Sequence, residues 1–308
     1  MSDYDAIIVG GGPAGLTAGL YLAQARRRVV LIEKEVFGGP VINYEKIENY
    51  PGFSQGITGA ELVTEMVEQA TNAGLQLEIG EVIEVENFSS IRSVSCSYGK
   101  NYTAPIVIIA GGAHPKDLNV PGEEKLKGKG VFHCAYCDGG QFADKVVAVC
   151  GGGDAGISGA IYLTNLCKQV VVIECMPKLN ACTLLQERAE DNPKIQCMTD
   201  TQVSSIVGDD HVQGIEITRP GEDKEVIPVN GVLVHVGVQA NTEYLKDLLP
   251  LDDEGRIKVN HCMETEVPYI LAAGDIRSGS PMQIVIAAGD GAVAGITAEK
   301  QLQQLTIN

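Results

Sequence analysis

The chain has 308 residues, a length that predicts about two domains and a large buried core. Its 23 basic and 40 acidic residues give a formal net charge of −17, which argues against nucleic acid and anionic membranes as partners. The acidic N-terminus is unlike a signal peptide, and no segment reaches the ~18 apolar residues of a membrane span. We therefore expect a cytoplasmic protein whose nine cysteines are mostly reduced thiols.

A glycine-rich fingerprint follows the first predicted strand. Residues 6–9 are apolar, as in a buried parallel strand, and G-x-G-x-x-G follows at Gly10, Gly12 and Gly15. A predicted helix begins there, and a second apolar strand ends in Glu33. Such glycines let a pyrophosphate approach the helix N-terminus, and the acid binds ribose hydroxyls. The pattern predicts a dinucleotide site.

The stretch that follows alternates loops with regular elements. Glycine and proline mark loops at 38–40 and 49–52, and an amphipathic helix is predicted at 59–73. A buried strand at 105–110 runs into two further glycines. Prolines and charges at 114–129 suit a crossing between domains.

Cys134 and Cys137 form a Cys-x-x-Cys motif with Asp138 directly after it. Two such cysteines close and reopen a small disulfide, or they supply half of a zinc site, but a second ligand pair at zinc spacing is missing from the sequence. Asp138 is placed to manage the thiol proton. His133 either assists Cys134 or is a polar surface residue. Most of the other seven cysteines are expected to be buried small hydrophobes.

The first fingerprint then repeats. Gly151, Gly153 and Gly156 follow an apolar strand, and the next strand ends in Glu174. The interval from first glycine to acid is 23 residues in both copies, 33 − 10 and 174 − 151. The matching glycines and acids make a degenerate structural copy the weaker interpretation. We therefore predict an α/β fold with two Rossmann-like dinucleotide-binding domains.

The C-terminal third adds a buried strand and a helix. The strand at 268–273 ends in a Gly-Asp pair, and His235 lies in an apolar strand, where a core role is expected. The predicted helix at 283–302 contains Gly289 and Gly291. Because glycine lowers helix stability, close packing on a cofactor would explain both.

Together these motifs resemble the low-molecular-weight thioredoxin reductase family over nearly the whole chain. The resemblance rests on both fingerprints, on Asn49-Tyr50-Pro51-Gly52, Ile109-Ala110-Gly111-Gly112-Ala113, Cys134-Ala135-Tyr136-Cys137-Asp138-Gly139, Ala273-Gly274-Asp275 and Gln283. It implies an FAD-binding domain of residues 1–113 and 246–308, interrupted by an inserted NAD(P)-binding-like domain of residues 114–245 that carries the cysteines. It also implies a homodimer, and a domain rotation that presents the dithiol in turn to the flavin and to thioredoxin.

The resemblance further implies the residues of the sites. Cys134 and Cys137, with Cys137 nearer the flavin and Asp138 as acid or base, would exchange with the disulfide of thioredoxin or a thioredoxin-like protein. In the first domain the implied cofactor-binding residues are Gly10, Gly12, Pro13, Ala14, Gly15, Glu33, Lys34, Gly39, Asn49, Val82, Ala110, Gly111, Gly112, Gly274, Asp275, Met282, Gln283 and Ile284. In the inserted domain they are Gly151, Gly153, Asp154, Ala155, Gly156 and Glu174.

The chain departs from the family at the donor site. NADPH-using thioredoxin reductases carry His-Arg-Arg after the second strand of the inserted domain, where this chain has Glu174, Cys175 and Met176. No cation remains at these positions for a 2′-phosphate, and Lys178 falls where the family has no phosphate ligand. A carboxylate here prefers the free 2′-hydroxyl of NADH. NADPH is therefore disfavoured, which leaves NADH, or ferredoxin or another electron carrier if nucleotide use has been lost.

Two other functions stay open at this point. A flavin-dependent dithiol oxidase would take electrons from a small dithiol to oxygen and release hydrogen peroxide. A flavin-bound redox sensor would hold FAD without turnover. The motifs along the whole chain favour the disulfide reductase.

Overall fold

The computed structural model describes residues 2–245 and 248–307 and divides the chain into two compact units. The first unit comprises Met1–His114 and Gln239–Asn308, and the second comprises Pro115–Val238. The predicted start of the second FAD-domain segment, at residue 246, lies outside the described residues. The contacts of residues 239–245 place them in the first unit, where Ala240 and Leu245 belong to a buried cluster.

The described residues form eighteen strands and seven α-helices, and strands alternate with helices mainly around the two fingerprints. Up to the first crossing they are β1 (Ala6–Val9), α1 (Pro13–Gln24), β2 (Val29–Glu33), α2 (Gly59–Ala73), β3 (Gln76–Ile79), β4 (Val82–Asn87), β5 (Arg92–Cys96), β6 (Asn101–Ala104), β7 (Ile106–Ile109) and β8 (Ala113–Pro115). Then come α3 (Glu123–Leu126), β9 (Val131–Phe132), α4 (Ala135–Asp138), β10 (Val146–Cys150), α5 (Asp154–Leu163), β11 (Gln169–Ile173), α6 (Thr183–Glu190), β12 (Ile195–Met198), β13 (Gln202–Gly208), β14 (Val212–Thr218), β15 (Glu225–Ile227), β16 (Gly231–Val234) and β17 (Val238–Ala240). The chain ends with β18 (Ile270–Ala272) and α7 (Ile284–Ile307).

The first unit is built on a five-stranded parallel sheet in the order β18-β7-β1-β2-β3. Alternate residues of each strand point to opposite faces, so each face buries its own apolar cluster. Ile8 packs with α1 and α7 on one face, and Ile7 packs with Val85 and Val94 of the small antiparallel sheet β4-β5-β6 on the other. Both faces are covered, which explains the continuous apolar runs of these strands.

The second unit has a similar sheet, although its edge strand β9 precedes the fingerprint strand β10 in the chain, whereas β18 follows β1. Its parallel sheet has the order β12-β11-β10-β16-β9, with β10 beside β11 as β1 lies beside β2. A three-stranded antiparallel sheet, β13-β14-β15, packs against it through Ile206 and Ile215. The predicted α/β fold with two Rossmann-like domains is confirmed. Among the described residues, no helix is long and apolar enough to cross a membrane.

Helix α2 shows how local sequence sets an element. Thr58 caps its N-terminus by accepting the Glu61 N–H at 3.2 Å, while the Glu61 carboxylate accepts the Thr58 N–H at 3.1 Å. Gly74 ends the helix in the left-handed region, at φ 111°. The helix spans the predicted residues 59–73, because this capping box and this glycine stand at its two ends.

The glycines of α7 pack on α1. A Cβ at Gly291 would overlap the carbonyl oxygen of Ala14, and one at Gly295 would lie 2.9 Å from that of Ala18. Gly289 has no heavy atom within 4 Å of its Cβ position. The expectation that close packing on a cofactor explains both glycines is therefore wrong for Gly291, which permits contact between two helix backbones, and stays a prediction for Gly289.

Arg92 ties together distant parts of the first unit. It is only 3% exposed and donates to the carbonyl oxygens of Pro105, at 2.9 Å, and Pro268, at 3.1 Å. Replacing it with Met leaves both carbonyls without their donor, so we expect the free energy of unfolding to fall by about 2–3 kcal/mol. Urea unfolding followed by circular dichroism measures this, with the exposed Arg26→Met as control. An unchanged unfolding midpoint for Arg92→Met would contradict the assignment.

Candidate redox and dinucleotide sites

The first fingerprint forms an open cradle at the carboxyl end of β1. Gly10 has φ 105°, and a Cβ there would overlap the Ala110 carbonyl, while a Cβ at Gly15 would overlap the Gly10 carbonyl. Gly12 differs, because nothing lies within 4 Å of its Cβ position. No side chain caps α1, whose first residues are Pro13 and Ala14, so its first N–H groups have no side-chain acceptor. The cradle fits an anionic pyrophosphate.

Glu33 holds the cradle in shape. One carboxylate oxygen, Oε2, accepts the Gly11 N–H at 2.7 Å, and the other accepts the Glu35 N–H at 3.0 Å. Glu33, the predicted ribose ligand, therefore also holds the glycine-rich loop after β1 in place. Lys34, the next residue, forms an exposed ion pair with Glu81, at 3.0 Å.

Ala110, Gly111 and Gly112 follow β7 and are fastened by a residue that sequence analysis missed. Asn241 donates its side-chain amide to the Gly111 carbonyl at 2.7 Å and its backbone N–H to the Gly112 carbonyl at 3.1 Å. Nothing in the local pattern singles out Asn241, because its partners lie about 130 residues away.

A second missed group fastens the loop after β18. Asp290, buried in α7, accepts the Gly274 N–H at 3.1 Å and pairs with Arg277 at 2.5 and 3.0 Å. The sequence feature that could have identified Asp290 is a carboxylate within a helix of small apolar residues. Asp275 accepts the Ser280 hydroxyl at 3.0 Å, and burial raises the pKa of Asp275.

Several other predicted residues of the first site are also placed by the structure. The Asn49 amide donates to the Gln283 side-chain oxygen at 3.1 Å, although 234 residues separate them. Met282, at φ 55°, donates its N–H to the Ser280 hydroxyl, and Ile284 begins α7. Gly39 starts a short 3₁₀ turn, and Val82 starts β4.

The second fingerprint repeats the cradle. A Cβ at Gly151, which has φ 114°, would overlap the His235 carbonyl, and one at Gly156 would overlap the Gly151 carbonyl. Gly153, like Gly12, has nothing within 4 Å of its Cβ position. Asp154 and Ala155 begin α5, and Asp154 accepts the Cys182 N–H at 2.7 Å. This cradle also leaves space for a pyrophosphate.

Glu174 is the counterpart of Glu33 and is only 8% exposed. Its Oε2 accepts the Gly152 N–H at 2.6 Å, and its Oε1 accepts the Met176 N–H at 2.9 Å and the Cys175 thiol at 3.4 Å. Burial, and then Glu174, raises the pKa of Cys175. The strand end therefore presents a fixed carboxylate.

Cys134 and Cys137 form a disulfide with their Cα atoms 5.3 Å apart. Cys137 is exposed and Cys134 is half-buried. The Cys134 sulfur accepts the Cys137 N–H at 3.1 Å, and the Cys134 carbonyl accepts the Asp138 N–H, also at 3.1 Å. The Asp138 carboxylate accepts the Gln141 amide at 3.4 Å. The bonded sulfurs favour redox chemistry over a zinc site.

The other cysteines only partly match expectation. Those that are buried, as predicted, are Cys96, Cys150 and Cys167, whereas Cys262 is half-buried. Cys175, Cys182 and Cys197 are exposed. Because only three of the seven are buried, the prediction that most of these cysteines are buried is wrong. The three exposed ones lie in a loop, at a helix start and on the edge strand β12.

A charged cluster adjoins the redox pair. The imidazole Nε2 of His133 lies 3.4 Å from an Asp117 oxygen, and ligand atoms of Asp117, Glu123 and His133 lie within 4.8 Å of one another. Two backbone N–H groups occupy the Glu123 oxygens, and the Lys127 ammonium is 2.9 Å from Asp117. The cluster is an ion-pair network more than a metal site.

His235 makes stability depend on pH. Burial, with a smaller contribution from His133, lowers its pKa from 6.5 to about 4. The unfolded chain therefore binds more protons between these values, and stability should fall as pH drops from 6.5 towards 4. In urea unfolding, the stability of His235→Gln, which lacks this imidazole, should decline less between pH 6.5 and 4 than that of the wild type. His211 is exposed, so His211→Gln should behave like the wild type. Equal declines in all three proteins would contradict the prediction.

Comparison with known proteins agrees with this geometry. The chain matches the family model described as "Pyridine nucleotide-disulphide oxidoreductase" over residues 4–291. It is 39% identical to a thioredoxin reductase of Listeria monocytogenes over 98% of this chain and 95% of that one.

Solved structures give the same result. The crystal structure of Lactococcus lactis thioredoxin reductase matches with a TM-score of 0.95 and 34% identity, over 98% of this chain and 100% of that one. A ferredoxin-flavin thioredoxin reductase from Clostridium acetobutylicum matches with a TM-score of 0.54 and 30% identity, over 99% of both chains. The chain therefore belongs to the pyridine nucleotide-disulphide oxidoreductase family and, within it, to the FAD-dependent thioredoxin reductases of low molecular weight.

Proposed function

We propose that this protein reduces the disulfide of thioredoxin or a similar small protein through Cys134 and Cys137. The observation that carries the proposal is the disulfide with Cys137 exposed, in a chain that also has two open dinucleotide cradles. FAD, when bound, supplies hydride acceptance from a nucleotide and electron transfer to a disulfide. Gly12, Glu33, Gly111 and Asp275 are among the residues that would hold it.

The exchange needs only the two thiols and a base. A thiolate of the reduced pair attacks one sulfur of the partner's disulfide, and the partner's other sulfur leaves as a thiolate. The second thiolate of the pair then attacks the mixed disulfide, which restores the Cys134–Cys137 bond and releases the partner. Two electrons and two protons pass to the partner, and we assign Asp138 to accept the proton from the attacking thiol.

We further propose that NADH is preferred over NADPH. The Glu174 carboxylate is held at the end of β11 by two backbone N–H groups, so it cannot turn away from a 2′-phosphate without breaking them. The carboxylate and a 2′-phosphate are both negative and would repel each other, whereas a ribose 2′-hydroxyl can donate to the carboxylate. A homodimer, the domain boundaries and the domain rotation stay predictions that rest on the family resemblance. The cytoplasmic location stays a prediction that rests on the sequence pattern.

Substituting Glu174 tests the donor assignment. Glu174→Gln removes the repulsion between the carboxylate and a 2′-phosphate, while the side-chain amide oxygen of Gln can still accept from the Gly152 N–H. We expect the ratio of kcat/KM for NADPH to that for NADH to rise about 10-fold, the effect of about 1.4 kcal/mol. Steady-state thioredoxin reduction with each nucleotide measures the ratio.

Lys178→Ala is the matched control, because Lys178 is an exposed cation four residues further along the chain. It should leave the ratio unchanged. If the wild type uses NADPH well and Lys178→Ala abolishes that use, Lys178 binds the phosphate and the role given to Glu174 is wrong.

A further inference from the structure

The redox disulfide spans a helix of a single turn. Cys134 is the residue before α4, Cys137 lies within it, and the Cys134 carbonyl accepts the Asp138 N–H at 3.1 Å. One helical turn is unstable by itself, because it fixes several backbone angles for few hydrogen bonds. When the disulfide is reduced, α4 must therefore be held by its packing on the rest of the second unit.

Two glycines let this turn approach α5 closely. A Cβ at Gly159, in α5, would lie 3.5 Å from the Cβ of Ala135. A Cβ at Gly139, directly after α4, would lie 2.9 Å from a methyl carbon of Leu163. A larger residue at either glycine would push α4 away from α5.

Tyr136, between the two cysteines, has the largest side chain of α4, whose other members are Ala135, Cys137 and Asp138. Its ring lies against that of Tyr162 in α5, with the ring centroids 4.4 Å apart and the planes tilted by 48°. Both tyrosines are half-buried, so the contact removes apolar ring surface from water. The ring contact therefore fastens the redox turn to α5.

This contact should matter most in the reduced protein. In the disulfide form the S–S bond itself holds Cys134 and Cys137 together, whereas in the dithiol form the packing of α4 has to keep their sulfurs close. A turn that stays folded loses less conformational freedom when the bond forms again. Fixing the turn therefore favours the disulfide over the dithiol and makes the dithiol a stronger electron donor.

We propose that Tyr136 is a positioning residue that holds the reduced Cys134–Cys137 turn against α5 and so lowers the midpoint potential of the pair. The inference rests on the proposed function, because it treats this pair as the group that reduces the partner protein. The Cys-x-x-Cys motif leaves both intervening positions open, so the motif does not mark Tyr136.

The test is the redox equilibrium of the FAD-loaded protein with reduced and oxidised dithiothreitol in the absence of oxygen. Dithiothreitol gives two electrons and two protons to the disulfide and becomes a cyclic disulfide, while the pair becomes two thiols. Alkylation and mass spectrometry of the peptide that contains both cysteines measure the equilibrium. In Tyr136→Ala we expect the equilibrium constant for forming the disulfide to fall about 10-fold, which raises the midpoint potential by about 30 mV.

Three further variants separate the ring contact from general stability. Tyr162→Ala removes the other ring and should give a similar rise, and the double variant should add little, because the same contact is lost in each case. Tyr136→Phe keeps the ring and should match the wild type. Ile157→Val removes a buried methyl group from α5, so it should lower the free energy of unfolding and leave the potential unchanged.

An unchanged potential in Tyr136→Ala would overturn the inference, and so would a rise of equal size in Tyr136→Phe or Ile157→Val. Failure of the proposed function gives a different result. In that case the wild type would reach this equilibrium with dithiothreitol and still not reduce thioredoxin, while the difference between the wild type and Tyr136→Ala would stay measurable.

Discussion

Replacing Cys134 or Cys137 with serine is expected to abolish thioredoxin reduction, with a loss of more than about 1,000-fold, as when an enzyme loses its nucleophile. Serine is isosteric but cannot form the disulfide, so neither the mixed disulfide nor its resolution can occur. Both variants should still bind FAD, because neither sulfur belongs to the first unit. The loss is measured by the rate at which thioredoxin thiols appear.

The matched control is Cys197→Ser, which changes an exposed cysteine of the second unit that is not in a disulfide. Its activity should equal that of the wild type. Retained thioredoxin reduction in Cys134→Ser would contradict the proposed function. Peroxide formation from a small dithiol, with no thioredoxin reduction by the wild type, would instead favour the dithiol oxidase.

The substitutions Gly12→Ala and Gly153→Ala should separate the two cradles. Each added methyl group meets no protein atom within 4 Å, so both variants should fold normally. The methyl group would occupy the space that a pyrophosphate needs at the start of α1 or α5. Gly12→Ala should weaken FAD binding about 100-fold or more, and Gly153→Ala should leave FAD binding intact while raising the KM for the nucleotide donor by a similar factor.

Titration of the apoproteins with FAD and steady-state kinetics measure the two effects. Thermal unfolding without FAD is the control for folding. The comparison variant Gly15→Ala, whose Cβ would overlap the Gly10 carbonyl, should be much less stable than Gly12→Ala. Loss of FAD from Gly153→Ala, with binding retained in Gly12→Ala, would mean that the cradles are assigned in the wrong order.

Sequence alone predicted the parts of the molecule that local rules control. Both fingerprints, their helices and their acids could be located because a glycine at φ 105° and an acid 23 residues later leave a fixed spacing in the chain. Helix α2 was predicted to the residue because Thr58 and Gly74 mark its ends.

The groups that fasten the sites could not be predicted in this way. Asn241 and Asp290 act on loops more than ten residues away in sequence, so their roles depend on how β7 and β18 come together. Gly291 was expected against a cofactor but faces α1, since a helix glycine has the same signature whichever backbone it approaches.

Glu33 and Glu174 show a role that pattern analysis understates. Each was predicted as a ribose ligand, yet each carboxylate also accepts a backbone N–H of its own glycine loop, at 2.7 and 2.6 Å. The acid therefore shapes the cradle in addition to its predicted role as a ribose ligand. Glu174→Gln therefore removes the charge but keeps an acceptor for the Gly152 N–H, whereas Glu174→Ala would remove both.

The most direct test of the account is anaerobic reduction of the FAD-loaded protein. Flavin absorbance and free thiols would be followed after adding NADH, NADPH or a low-potential electron carrier in separate experiments. We expect fast bleaching with NADH, with two new thiols per chain from the Cys134–Cys137 disulfide, and bleaching at least about 10-fold slower with NADPH. Faster bleaching with NADPH, or bleaching by the low-potential carrier alone, would contradict the assignment of the second cradle to NADH.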